Sequence, residues 1–437
     1  MIRRLFSRRI PTPDPAPQTA NADPALEEHL RAVVRHALGP WAVAHPQWSQ
    51  DGALRRYQVT FEPQFVNDLV SNPRLRRKTE KLLQDAIPAP DNGWWNLYWD
   101  MDNRTLTAKA AILPAHAVNP APAHISADPL DEHLPPQIPC GVDEHGNPVI
   151  WPLDWIASAL VVDGVGCSGT STQIRTIITG AAKAAMCVVI ANFSHRTDEF
   201  DGLRDWPNIH LVANGPKNAL RAISYVHQIF ANRRLTGQRG TPIMLVINGF
   251  DEFNAILQAN HWNLSFDHPT CLIIERKLGQ LRRLGRAAGV HLLVETGTVP
   301  PEIDIHNLAF KIQVGYLAGN VSYRLWEDLL LGQTVPPNTP GRALTHNEEG
   351  FHQFQGYYTP DPAAPDLTDE DTQILATLRP DHASHTRMVI DMPPTATEWD
   401  QIESAPIVPA ATRPDLDPLS DLYRPDNDDP PAASPAR

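Results

Sequence analysis

Gly164-Val165-Gly166-Cys167-Ser168-Gly169-Thr170-Ser171 decides the fold. It has the glycine spacing of a phosphate-binding loop, G-x-x-x-x-G-K-[ST], with threonine in place of the lysine. In such a loop the glycines let backbone N–H groups curl around a phosphate, and the lysine adds a point charge against its outer oxygens. Ser158-Ala159-Leu160-Val161-Val162 before it is an apolar strand, and Thr170 to Ala185 after it has the pattern of a helix. A helix beginning near Gly169 offers free N–H groups and the positive end of its dipole to an anion. Thr170 cannot reproduce the lysine's charge, while Ser171 or Thr172 could still hold Mg²⁺. The structural alternative is a tight turn that needs small residues at the sheet edge.

Outward from the loop, Cys187–Ala191, Ile209–Ala213, Ile243–Ile247 and Val290–Val294 are further apolar runs, with a helix over Asn218–Arg233. Apolar strands alternating with helices predict a mostly parallel sheet covered on both faces, an α/β class. The strand ending Val246-Ile247 should close on acids that hold Mg²⁺ and orient water. Asn248 and Gly249 stand there instead, with Asp251 and Glu252 slightly later, where an acidic pair also suits a helix N-terminus.

The order of these segments over roughly 138–358 resembles the FtsK/SpoIIIE family of DNA-pumping ATPases, including relatives in actinobacterial plasmid transfer. A strand hairpin, Gly141 to Ile150, introduces the loop as it does in that family. The most specific match is Leu284-Gly285-Arg286-Ala287-Ala288-Gly289-Val290-His291-Leu292-Leu293-Val294-Glu295-Thr296. The resemblance implies a RecA-like P-loop NTPase domain, ATP and Mg²⁺ as cofactors, and double-stranded DNA as a partner. It also marks departures: Thr170 at the lysine, Asn248 and Gly249 at the acids, Gly297 at the phosphate-sensing glutamine, and Ala191-Asn192-Phe193 at an Asp-Pro-Lys step. Loop charge, acids and sensor are lost together. The expected function is therefore a pseudo-ATPase, a structural or regulatory subunit that self-associates or joins an active paralogue, with no catalytic residues. The candidate nucleotide-contacting residues are Gly164, Gly166, Cys167, Ser168, Gly169, Thr170, Ser171, Asn248, Asp251 and Glu252. An active but atypical Mg-ATP-dependent DNA translocase and a protein-interaction scaffold that binds no nucleotide are the alternatives.

The remaining chain divides by composition. Residues 1–23 form a basic arm and linker, 24–115 a small α+β module (a helix over Pro24–Leu38, then β-α-β-β over roughly 40–115), and 116–137 a proline-rich linker. The P-loop domain at 138–358 is followed by an extension at 359–409 and a disordered acidic tail at 410–437. Trp94, Trp95 and Trp99 are core or a partner surface. Arg276, Lys277, Arg282, Arg283 and Arg286 are a solvated face or a phosphate-gripping patch, with Arg221, Arg233 and Arg234 inviting the same reading.

The whole chain sets the outer bounds. Its 437 residues permit several domains, and 43 prolines favour linkers. A net charge of -13 excludes a generally basic nucleic-acid coat, though not a local channel. Cys140, Cys167, Cys187 and Cys271 form no zinc pattern, and His124, His210, His261 and His291 are scattered, so no metal site is expected. No apolar run is long enough to span a bilayer, so the expected location is cytoplasmic, at most peripheral to a membrane complex.

Overall fold

The computed structural model describes residues 23–90, 94–111, 113, 114, 116–119, 137–153, 158–162, 168–259, 268–297, 310–314, 340–347 and 350–424. These fall into two compact units, the first ending at 111 and the second beginning at 113.

The first unit runs α1 (Pro24–Leu38), β1 (Val43–Trp48), β2 (Leu54–Thr60), α2 (Pro63–Ser71), α3 (Pro73–Ala86), β3 (Trp94–Asp100) and β4 (Thr105–Ala111). Asp23 caps α1 by accepting from the N–H groups of Ala25 and Leu26, and Pro73 opens α3 rather than breaking it. The sheet is antiparallel, in the order β1-β2-β4-β3. It therefore has one strand more than the β-α-β-β reading. β1 escaped because Pro46 lies inside it, and proline is tolerated there only because β1 is an edge. One sheet face packs Tyr57, Val59, Trp95, Leu106 and Ala108 against Leu30, Val34 and Leu83 of the helices. Trp95 is core, its indole N–H donating to the Ile87 carbonyl, and Trp99 donates to Glu80 while packing edge-on to Phe61. The Trp94 side chain lies outside the described set.

The second unit begins with the hairpin β5 (Gln137–Val142) and β6 (Pro148–Pro152), then β7 (Ser158–Val162), α4 (Thr170–Lys183) and β8 (Cys187–Asn192). β9 (Ile209–Asn214), α5 (Pro216–Thr236), β10 (Ile243–Asn248), α6 (Phe250–Ala259), α7 (His268–Leu284) and β11 (Val290–Thr296) follow. β12 (Phe310–Val314), β13 (Arg342–Asn347) and β14 (Gly350–Gly356) complete a sheet ordered β6-β5-β14-β13-β12-β7-β11-β10-β8-β9. From β12 to β9 every pairing is parallel. This is the expected mostly parallel sheet of an α/β fold. The chain leaves β7, passes over two positions to form β8, and later fills them with β10 and β11. The strand that carries the loop thus ends up inside the sheet, its carboxyl end on the edge where open α/β sheets bind their ligands.

Alternation assigns the two faces. Val189, Ala191, Leu245, Ile247, Leu292 and Val294 pack with α5, α6 and α7. Val188, Ile190, Met244, Val246 and Leu293 pack with α4. The next positions in register, Asn192, Asn248 and Glu295, therefore turn toward the α4 side at the strand ends.

The extension adds α8 (Asp369–Leu378), β15 (Met388–Ile390), α9 (Trp399–Ser404) and β16 (Ile407–Pro409). Ile374, Leu375 and Leu378 of α8 join the α4 core, and Trp399 and Ile402 of α9 join the α5 core. Order continues past 409: Arg413 pairs with Asp391 and Asp415, and Arg387 with Asp417. Residues 410–424 are thus fastened by arginine–carboxylate pairs that acid-rich composition alone concealed. Residues 425–437 of the expected tail lie outside the described residues.

Candidate functional site

The loop enters the described structure at Ser168; Gly164, Gly166 and Cys167 lie outside it. Gly169 takes φ 103° at the N-cap of α4, a left-handed conformation that strains any side chain. A Cβ there would lie 3.0 Å from the nitrogen of Gly341, whose N–H donates to the Ser168 carbonyl at 2.7 Å. Gly341 (φ 74°) in turn receives the N–H of Gly356 on its own carbonyl. The loop is therefore stitched to the turn that leads into β13, which the sequence did not reveal. Gly169→Ala should cost about 1–3 kcal/mol of stability, read as a lowered urea midpoint at unchanged slope.

Thr170, at the lysine position, is buried, with its hydroxyl 3.2 Å from that of Ser168. A short side chain held this way cannot reach an outer phosphate. Ser171, one residue on, lies in the first turn of α4 and is partly exposed.

At the same edge of the sheet the strands β8, β9 and β10 end in amides rather than acids. Asn248 on β10 stands in register with Asn192 on β8, and Asn192 with Asn214 on β9. Their side chains join in a chain: Asn248 Nδ2 donates to Asn192 Oδ1 at 3.0 Å, and Asn192 Nδ2 to Asn214 Oδ1 at 3.2 Å. Asn248 Nδ2 also donates to Glu199 Oε2 at 3.0 Å, and Asn214 Nδ2 lies 3.4 Å from Asp201 Oδ1. The backbone N–H of Ser194 and the carbonyl of Arg196 use the remaining capacity of Asn192. Asn192 and Asn248 are 0% and 2% exposed, so these are buried hydrogen bonds whose loss is costly. A readable signal existed, since three buried strands each end in Asn (CVVIAN, IHLVAN, IMLVIN).

Asp251 sits in the first turn of α6, but its carboxylate reaches across to β11. It accepts from the Thr296 hydroxyl at 3.0 Å and from the Gly297 N–H at 2.7 Å. Gly297, the sensor position, thus contributes its backbone to this brace. Glu295 completes it from the other direction, accepting the Gly249 N–H at 2.7 Å. Gly249 has φ 75°, and a Cβ on it would lie 2.7 Å from the Ser194 nitrogen and 2.9 Å from Glu252 Oε2. The turn after β10 is therefore closed tightly. Glu295 was not among the expected site residues, although its strand lies between the loop strand β7 and β10, with Glu295 opposite Val161. Among the described residues no group of three or more His, Cys, Asp or Glu side chains could hold a metal ion.

The basic residues on α5, on α7 and just after α7 divide between two roles. Lys277 pairs with Glu403 and lies 5.1 Å from the Trp399 ring centre, clamping α9. The Arg221 side chain donates to the Ala405 carbonyl, and that of Arg233 to the carbonyls of Ala288 and Thr241. These three are structural, whereas Arg276, Arg283 and Arg286 are exposed. Burial would raise the Glu403 pKa, but hydrogen bonds from Lys277 and Ser224 and the Lys277 charge outweigh it and hold it below the usual carboxylate value. The clamp is thus intact above ordinary carboxylate pKa values and loosens as pH falls through the depressed one. No described helix is long and apolar enough to cross a membrane.

No family model and no curated protein matches the chain. Among solved structures it is similar to the pCW3 conjugation coupling protein TcpA in its monomer form with ATPγS, at 17% identity and a TM-score of 0.45. That match covers 79% of this chain and 99% of the other. It is similar to the cytoplasmic domain of the type VII secretion ATPase EccC of Thermomonospora curvata, at 15% identity and a TM-score of 0.46, over 65% of this chain and 37% of that one. A third similarity is to ATPases 2 and 3 of EssC from Geobacillus thermodenitrificans, at 15% identity and a TM-score of 0.43, over 69% of this chain and 62% of the other. The chain thus spans well under two thirds of the EccC domain and just under two thirds of the EssC structure.

Proposed function

We propose that this chain is a catalytically degenerate FtsK/SpoIIIE-like subunit with a structural or regulatory role in a DNA-translocation or transfer assembly. The observation that carries the reading is the buried amide chain Asn248–Asn192–Asn214 at the strand ends where hydrolysis would need carboxylates. A neutral amide neither binds Mg²⁺ strongly nor accepts a proton from water. Two further observations agree. Thr170 is buried against Ser168, and both Asp251 oxygens are engaged by β11 and the residue after it. In this reading the subunit works through contacts, with copies of itself or with an active ATPase paralogue, on the cytoplasmic side of a transfer complex. Duplex DNA passes through the assembly, and nucleotide, where bound at all, is bound without turnover.

Calorimetry with ATP and Mg²⁺, with phosphate release followed in the same samples, tests this. Weak or absent binding and no turnover are expected of the chain alone, and beside an active partner ATPase none that is lost when this chain's own loop is altered. Turnover that survives purification and vanishes in a loop variant would overturn the proposal. One observation favours a second reading, an atypical working ATPase: Glu295 places a carboxylate on the α4 side, one strand from the loop strand. In that case an arginine from a neighbouring subunit replaces the loop lysine, and Glu295→Gln abolishes turnover.

A further inference from the structure

Among the described residues the sheet of the first unit has helices on one face only, and the other face carries an ordered array. Its registers place Gln47, Arg56, Lys109 and Asn96 in one cross-strand row, and His45, Gln58, Thr107 and Tyr98 in the next. Arg56 and Lys109 are directly opposite each other on the two central strands. Like charges in such a pair destabilise a sheet, because their side chains leave Cβ atoms only about 5 Å apart. Neither row contains a carboxylate, and the Arg56 Nε is buried without a hydrogen-bond partner among the described residues. Asp100, in the third row, is already engaged by the backbone and side-chain N–H groups of Asn103. Beside the two cations, Tyr98 is 53% exposed, with the Lys109 ammonium 5.6 Å from its ring centre. Trp41, at the chain's approach to β1, is 77% exposed.

From this juxtaposition we infer that the open sheet face is a binding surface for single-stranded nucleic acid. The Arg56–Lys109 pair takes backbone phosphates, and Tyr98 stacks a base. An anion between the two cations relieves the repulsion that the folded protein otherwise carries. The exposed ring selects a single strand over a duplex, since only unpaired bases offer an open π-face. Asn96, Gln58 and Thr107 supply hydrogen-bonding groups around it, which suits sequence-tolerant binding. The surface does not depend on the nucleotide site, so it stands whether or not the second unit hydrolyses ATP.

The test is fluorescence anisotropy of a labelled oligothymidylate of about 20 nucleotides with the full chain, titrated at several salt concentrations. Binding is expected, and Arg56→Gln with Lys109→Gln should weaken it about tenfold or more. The same double variant should reduce the salt slope by about 1.4, at roughly 0.7 for each single-strand phosphate that is no longer neutralised. Tyr98→Ala should weaken binding about 5- to 150-fold, the range for one stacked base. Because the double substitution removes a like-charge repulsion, its thermal midpoint should not fall, so weaker binding cannot be ascribed to misfolding. Failure of the oligonucleotide to bind, or unchanged affinity and salt slope in the double variant, would overturn the proposal. Equal affinity for a duplex, or displacement by polyglutamate at lower concentration than by oligonucleotide, would overturn it as well, the latter pointing to an acidic protein partner.

Discussion

Asn248→Asp, the substitution that would place an acid at the end of β10, is expected to destabilise the protein by about 2–4 kcal/mol. The new carboxylate would face Asn192 Oδ1 and Glu199 Oε2, each now 3.0 Å from the amide nitrogen it replaces. Two donated hydrogen bonds become oxygen–oxygen contacts in a site that is 2% exposed. Losing a buried donor between acceptors costs about 1–3 kcal/mol, and an uncompensated buried charge costs more. Asn192 cannot turn its amide to help, because its nitrogen donates to Arg196 and Asn214 and its oxygen accepts from Ser194. A urea melt at neutral pH reads the loss directly. Adding Glu199→Gln should recover at least about 1 kcal/mol, since that side chain could then donate, and a double-mutant cycle isolates the coupling. A neutral effect of Asn248→Asp would show that the amide chain is not what holds this edge together.

His291 should dominate the response to acid. It lies on β11 opposite Met244, is 1% exposed, and neither ring nitrogen has a hydrogen-bond partner among the described residues. Burial, with the charges of Arg239 and Arg286, pushes its pKa down from 6.5 to about 3. The unfolded chain therefore takes up the proton at higher pH than the folded one. Stability is complete above about 6.5 and falls as pH drops toward 3. At 1.36 kcal/mol per pH unit, the loss by pH 4.5 is about 3 kcal/mol. His291→Leu should remove most of that slope and raise stability at neutral pH by about 1–3 kcal/mol, because two unsatisfied buried nitrogens disappear. Urea midpoints at about pH 7, 5.5 and 4.5 for both proteins decide the matter. Some slope should remain in the variant, because burial also lowers the pKa values of His210 and His227. An equal slope in the two proteins would mean that His291 is not the group responsible.

Much of the second unit was legible from periodicity. Cys187–Ala191, Ile243–Ile247 and Val290–Val294 are continuous apolar runs because their strands are covered on both faces. β13 and β14 were not separated out, since neither strand is a continuous apolar run; they pair with each other, and only their outer neighbours β12 and β5 lie further away along the chain. The site was legible only as absences. That Thr170 replaces a lysine and Asn248 an acid is visible in the residues; what those side chains do instead depends on register across three strands. The Asp251–Gly297 bridge spans 46 residues and joins two segments that nothing local connects. Lys277 and Arg221 illustrate the same limit. Each resembled part of a cationic face, and each is held by α9 or the residue that follows it, from a stretch more than a hundred residues away.

The amide chain also constrains how such a site can change over time. Asparagine and aspartate codons differ by one nucleotide, so an acid at 248 is a frequent mutational neighbour of this sequence. Because Asn248, Asn192, Asn214 and Glu199 satisfy one another, that single step leads downhill in stability before any gain in chemistry can be selected. A path to an acidic edge must alter Glu199 first, or together with Asn248, and must also rebuild Thr170 from its buried contact with Ser168. The edge therefore acts as a ratchet, readily kept by drift and rarely reversed.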